Sequence, residues 1–69
     1  MTLGQAITKA RSNKGLTRKE LSAMSGIALT TLGYWERDET SPTIFLLTCL
    51  ADTLDISLDE LVGRRRNGK

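Results

Sequence analysis

The sequence has no histidine, one cysteine, one proline and no long run of apolar residues. A single cysteine cannot form a disulfide within the chain, and without histidine no zinc site is expected. No apolar stretch has the length of a signal peptide or a membrane span, which predicts a cytoplasmic protein without a membrane partner. A single domain of 69 residues must therefore be stabilised by apolar helix packing.

The sequence also lacks the residue groups that most enzymes need. It has no paired carboxylates in an evident pocket and no glycine-rich phosphate loop, and Cys49 has no basic neighbour in sequence. Nothing indicates a cofactor, a metal ion or a small-molecule ligand. These absences predict a binding protein rather than an enzyme.

The net charge of +2 conceals an uneven distribution. Residues 1–37 carry six basic and two acidic side chains, residues 38–63 carry six acidic and none basic, and residues 64–69 carry four basic. We divide the chain into a domain over 1–63 and a flexible basic tail over 64–69. The tail contacts phosphates, begins a linker or only adds solubility; these alternatives stay open.

Capping residues and apolar spacing predict a compact five-helix fold. The first helix spans Leu3 to Asn13, with Thr2 as its cap and Gly15 as its stop. Its inner face is formed by Leu3, Ile7 and Ala10. The fourth helix follows Pro42, with Thr43 as its cap, and its inner face is formed by Ile44, Leu47, Leu50, Ala51 and Leu54. Ser57 and Glu60 form a capping box for a short last helix that ends near Gly63.

Residues 17–36 are the most informative segment. Thr17 and Glu20 form a capping box, Leu21 and Met24 share one face, and Gly26 ends the helix in a left-handed conformation. A second helix runs from about Ala28 to Glu36, and Leu32 and Trp35 mark its inner face. Two short helices joined by a tight glycine turn are typical of a helix-turn-helix.

The motif Leu-Thr-x-x-x-Leu-x-x-x-x-Gly-Ile is followed by Trp35-Glu36, by Pro42 and by Leu-Asp-Ile-Ser-Leu-Asp-Glu-Leu. Over residues 3–63 this series resembles the phage repressor and Cro-type helix-turn-helix family. The resemblance implies an all-α, lambda-repressor-like DNA-binding domain. The positive charge of the N-terminal half is the electrostatic footprint expected of such a domain, with chance clustering on a solvated surface as the alternative.

The resemblance implies that the helix over about 28–36 enters the major groove of double-stranded DNA. Its DNA-facing residues would be Ala28, Leu29, Thr30, Gly33 and Tyr34. Ala28 and Leu29 offer only apolar contact, for example to a thymine methyl, and Thr30 offers a hydrogen bond. Gly33 is expected to remove bulk on the outer face. The expected DNA-binding set also includes Thr17, Arg18, Lys19 and Arg37. Arg18 and Lys19 are expected to contact phosphates, since most protein–DNA hydrogen bonds go to the backbone, with a guanine contact as the alternative for Arg18.

Arg11 and Glu36 are predicted to form a structural ion pair, as similar domains pair a basic residue and a glutamate at these positions. Such a pair would fix the angle of the recognition helix. Asp38 and Glu39 depart from the family pattern, because acidic residues in this loop should repel phosphates.

Phe45, Leu46 and Cys49 are a second departure, because they are predicted to point away from the inner face. An exposed apolar cluster often marks a partner surface. The cluster forms part of a homodimer or domain interface, or else the helix is rotated and Phe45 covers the edge of the core.

Two functions are consistent with the sequence. The first is a transcriptional regulator, a repressor by preference, that binds an inverted repeat as a dimer. The second is a protein-interaction module or antitoxin-like adaptor that keeps the fold with weak DNA affinity.

Overall fold

The computed structural model describes residues 1–62, which form five helices. In chain order these are α1 (Leu3–Asn13), α2 (Arg18–Ser25), α3 (Leu29–Glu36), α4 (Ile44–Thr53) and α5 (Leu58–Leu61). The predicted all-helical class and the five helices are confirmed. The basic tail predicted over 64–69, and Gly63, lie outside the described residues. None of the helices within 1–62 is long and apolar enough to cross a membrane.

Four of these helices begin at a hydroxyl side chain that accepts a hydrogen bond from a first-turn backbone amide. The capping hydroxyls belong to Thr2, Thr17, Thr43 and Ser57. The predicted boxes Thr17–Glu20 and Ser57–Glu60 are present, and Thr2 forms a third with Gln5. Each cap gives a hydrogen-bond acceptor to a backbone amide that has no partner inside its helix. Such a cap typically contributes about 1 kcal/mol to the stability of the protein.

Besides α2, which ends at the left-handed Gly26, three helices end at a residue with a left-handed backbone. These residues are Gly15 after α1, Asp38 after α3 and Asp55 after α4, with φ angles of 72°, 60° and 56°. Aspartate tolerates this conformation better than most residues because its short polar side chain bonds locally. The sequence predicted the stop at Gly15, whereas nothing in the pattern distinguished Asp38 and Asp55 from other loop aspartates.

The core forms where α1 packs against α3 and α5, α2 against α3 and α4, and α4 against α5. Its fully buried side chains are Ile7, Leu21, Leu32, Leu50, Leu54 and Leu61. Two residues that were predicted to face the core do not: Ile44 is 58% exposed, and Met24 is exposed whereas Leu21 is buried. The first turn of α4 is exposed on all sides, so α4 extends past the core before Leu47 turns inward.

The backbones of α1 and α3 approach each other most closely at Gly4. A Cβ atom added at Gly4 would lie 2.5 Å from the carbonyl oxygen of Glu36 and 2.6 Å from that of Trp35. Real Cβ atoms do not come this close to backbone oxygens, so a side chain at this position requires the helices to separate. Gly4 therefore sets how the C-terminal end of α3 sits on α1. A glycine inside a predicted helix, with no turn to explain it, is the sequence signal for such a contact.

Candidate nucleic-acid interface

The turn between α2 and α3 is built around Gly26. Its φ of 77° is left-handed, and its amide donates to the carbonyl of Ser22. The Ser22 hydroxyl then donates to the carbonyl of Ile27 at 2.6 Å, and the Ile27 amide donates to the Ser25 hydroxyl at 3.2 Å. Ile27 is buried. These bonds fix the direction in which α3 leaves the turn.

The N-terminal end of α3 is exposed and has no side-chain cap. Ala28 occupies the N-cap position, so the helix begins at Leu29, one residue later than predicted. Ala28, Leu29 and Thr30 are all exposed, with Leu29 at 45%. The first-turn amides of α3 receive no side-chain cap, unlike those of the other four helices.

The inner face of α3 follows the sequence prediction. Leu32 and Trp35 are buried, and Tyr34 is 43% exposed on the outer side. Gly33 differs from its expected role, because it is buried under the Arg37 side chain rather than open on the outer face. A Cβ atom at Gly33 would meet the Arg37 guanidinium at 3.1 Å. The missing side chain thus makes room for Arg37, a residue of the same chain.

The basic residues at the start of α2 have different surroundings. Lys19 is exposed. Arg18 is 42% exposed, and its Nε donates to Glu36 Oε1 at 3.3 Å. The Thr17 hydroxyl accepts the Glu20 amide in the capping box. Thr17 and Arg18, both in the predicted DNA-binding set, therefore already have partners within the domain.

Glu36 is the centre of a network that joins α1, α2 and α3. Its side chain is 3% exposed and accepts two bonds from Arg11, at 2.9 Å from Nε and 3.2 Å from Nη2. Nη1 of Arg11 donates to the carbonyl of Leu16 at 2.8 Å. Burial by itself would raise the pKa of the Glu36 carboxyl, but the hydrogen bonds and charge of Arg11, with the charge of Arg18, hold it below the ordinary value. The two guanidinium groups thus tie the C-terminal end of α3 to both preceding helices.

Asp38 is directed at the first turn of α1. Its Oδ2 accepts the Thr2 hydroxyl at 2.7 Å, and its Oδ1 accepts the Gly4 amide at 2.9 Å. These two bonds lower the pKa of the Asp38 carboxyl. No local sequence signal indicates this contact, because it joins residues 36 positions apart and only the fold brings them together.

The predicted apolar cluster on α4 is only partly exposed. Phe45 is 83% and Leu46 is 40% exposed, so Phe45 does not cover the edge of the core. Cys49 is partly buried against the core, and its thiol lies 3.8 Å from the carbonyl of Ser25. Ile44 takes its place in the exposed set. We call Ile44, Phe45 and Leu46 the α4 patch.

The fold and the α2–α3 geometry define a helix-turn-helix domain, and comparison with known proteins identifies its family. The Helix-turn-helix family model matches residues 7–61. The chain is 38% identical over 60 residues to y4dJ of Sinorhizobium fredii, an uncharacterised helix-turn-helix-type transcriptional regulator, covering 87% of this chain and 78% of that protein. It is 34% identical over 64 residues to RstR of Vibrio cholerae, a cryptic phage transcriptional repressor, covering 93% of this chain and 57% of RstR.

A solved structure shows the same architecture. The biofilm regulator SinR, crystallised in complex with DNA, superposes with a TM-score of 0.81 at 34% identity, covering 88% of this chain and 98% of that chain. The chain therefore belongs to the helix-turn-helix family of phage repressors and DNA-binding transcriptional regulators. The family resemblance predicted from residues 3–63 is confirmed.

Proposed function

We propose that this chain represses transcription by binding a specific double-stranded DNA site, with α3 in the major groove. The observation that most supports this proposal is the exposed, uncapped first turn of α3, and the exposed Lys19 on α2 adds to it. Amides without a partner at a helix N-terminus favour an anion, and a groove-binding helix requires an unobstructed tip. The role is one of binding without catalysis, in the cytoplasm.

In this proposal, the residues of the α3 tip contact base edges. Leu29 and Ala28 make apolar contacts, Thr30 donates or accepts a hydrogen bond, and Tyr34 contacts a phosphate or base one turn later. Lys19 and the free edge of Arg18 neutralise phosphates that flank the helix. The Arg11–Glu36 pair keeps α3 at the angle at which these contacts form together.

Selection of bound duplexes from a random DNA pool at two salt concentrations tests this function. We expect convergence on an inverted repeat, with retention that falls as salt rises, because phosphate contacts release counterions. Salt-sensitive retention without a consensus would mean phosphate binding only, and would contradict the roles given to Leu29 and Thr30. No retention at low salt would contradict DNA binding altogether.

We further propose that the chain binds DNA as a homodimer. Proteins of this class read two half-sites about 34–36 Å apart, and one small module makes few contacts. The α4 patch is the candidate interface, because it exposes three large neighbouring apolar side chains.

Replacing Phe45 by lysine is expected to weaken self-association about tenfold or more, because it places a charge in the centre of the proposed apolar contact. Sedimentation equilibrium measures the dimer dissociation constant, and far-ultraviolet circular dichroism reports the fold. Phe45 is 83% exposed, so the monomer should stay helical. Met24→Lys is the matched control, since Met24 is an exposed apolar residue on α2. Equal dimerisation of the two variants would contradict the proposed interface.

A second candidate function is a protein-interaction module or antitoxin-like adaptor with weak DNA affinity. The observation that favours it is that Arg18 and Arg37 are both ion-paired with glutamates of the same chain. Salt dependence separates the two functions, because an apolar partner interface does not weaken steeply as salt rises.

A further inference from the structure

The turn that ends α3 fixes Glu39 close to the base of the recognition helix. With Asp38 left-handed, the Asp38 amide donates to the carbonyl of Trp35 at 3.0 Å and the Glu39 amide donates to the carbonyl of Tyr34 at 2.9 Å. This pair of bonds is the Schellman arrangement, which closes a helix end tightly. The backbone of Glu39 is therefore held by α3 itself and does not move as a free loop.

Arg37 lies on the outer side of α3 and is held from three directions. Its guanidinium is 5.4 Å from the ring centroid of Tyr34, and it covers the space left open by Gly33. Its Nε donates to Glu39 Oε2 at 2.8 Å. Glu39 supplies the hydrogen bond and part of the charge that raise the pKa of Arg37. The Arg37 side chain is therefore held beside Tyr34, on the side of α3 that carries the proposed DNA contacts.

The two acidic side chains of this turn contact different parts of the domain. The Asp38 carboxylate accepts hydrogen bonds from Thr2 and Gly4 at the start of α1. Glu39 alone forms an ion pair with Arg37 among residues 1–62. Both side chains of that pair are about half exposed, at 51% and 52%. A solvent-exposed pair of this kind is weak, so another anion can displace the carboxylate.

We infer that Glu39 is an intramolecular competitor of DNA phosphate for Arg37, and so sets how strongly and how salt-dependently the domain binds DNA. This inference rests on the proposed DNA-binding function. In the free protein the carboxylate occupies the Nε donor of Arg37 and offsets its charge, so a phosphate gains less from Arg37 than from an unpaired guanidinium. Displaced Glu39 then still lies next to the phosphate backbone and repels it. Both effects lower affinity for any sequence.

The test compares Glu39→Gln, Arg37→Gln and the double variant with the unsubstituted 69-residue chain. Asp52→Asn is the matched control, because it removes one negative charge from an exposed position in the last turn of α4. The probe is a short duplex of mixed sequence, with dissociation constants measured by fluorescence anisotropy across a salt series. Glutamine has the same size as glutamate, so Glu39→Gln removes the negative charge with little change in shape. Arg37→Gln removes the positive charge and shortens the side chain.

We expect Glu39→Gln to bind about fivefold tighter at low salt, and to steepen the slope of log affinity against log salt by about 0.9, the value for one additional phosphate contact. Arg37→Gln should change affinity less than about twofold in the unsubstituted chain, yet remove the whole gain in the Glu39→Gln background. Asp52→Asn should leave the slope unchanged.

Other outcomes would overturn the inference. If Glu39→Gln behaves like Asp52→Asn, Glu39 does not compete, although duplex binding by the unsubstituted chain would still support the proposed function. Weaker binding by Glu39→Gln would mean that Glu39 positions Arg37 productively. If no variant binds the duplex at low salt, the proposed function fails as well. Binding by Glu39→Gln alone would support the inference in its strongest form.

Discussion

Replacing Gly4 by alanine is expected to lower the free energy of unfolding by about 3 kcal/mol, the upper part of the usual range for overpacking. The new Cβ would lie 2.5–2.6 Å from two backbone carbonyl oxygens of α3, which cannot move aside as a flexible side chain would. Alanine is intrinsically a better helix former than glycine by about 1 kcal/mol. The measured loss of unfolding free energy is therefore the cost of the steric clash minus this gain in helix propensity. Urea denaturation followed by circular dichroism gives the value.

Gly33→Ala is the matched control for this result. Both glycines are buried in helices, but a Cβ at Gly33 would meet only the far end of the Arg37 side chain, at 3.1 Å. That side chain can rotate away, so Gly33→Ala should be at least as stable as the unsubstituted chain. Equal stabilities of the Gly4→Ala and Gly33→Ala variants would show that α1 and α3 do not approach each other as described.

The second large effect is expected at Glu36. Glu36→Gln should cost about 3 kcal/mol of unfolding free energy, because it leaves the Arg11 guanidinium, only 14% exposed, without its counter-charge. Arg18→Gln is the comparison, since it removes the partner that is 42% exposed and should cost at most about 1 kcal/mol. The double variant Arg11→Met with Glu36→Leu should recover much of the loss, because no buried charge stays unpaired.

The same network predicts how stability depends on pH. The folded-state pKa of Glu36 lies below its ordinary value of 4.5, so its contribution is fully present above that pH. It is lost as the pH falls through the lowered folded-state pKa. The unfolding free energy of the unsubstituted chain should therefore drop below about pH 4.5, and the drop should be smaller in the Arg11→Met, Glu36→Leu variant. No change in stability from Glu36→Gln and from Arg11→Met alike would contradict the network.

Much of the fold follows from local signals in the sequence. The bounds of α1, the caps at Thr2, Thr17, Thr43 and Ser57, and the turn at Gly26 were all predicted, because a cap or a left-handed glycine depends on residues three or four apart. Prediction failed at the first turn of α4. The spacing of Ile44 matches the inner face, but spacing does not tell where along a helix the neighbouring helices end.

Some features of the candidate site likewise follow from the sequence, and others depend on the tertiary structure. The sequence by itself determined the helix-turn-helix, its family and the tip of α3, since these depend on residue types at short fixed spacings. Only the tertiary structure decided that Asp38 caps α1, that Gly4 is a point of backbone contact, and that Arg37 covers Gly33. The physical reason is that the contacts of Asp38 and Gly4 join residues more than thirty positions apart. Arg37 in turn is paired with Glu39, whose backbone is held by the left-handed turn at Asp38.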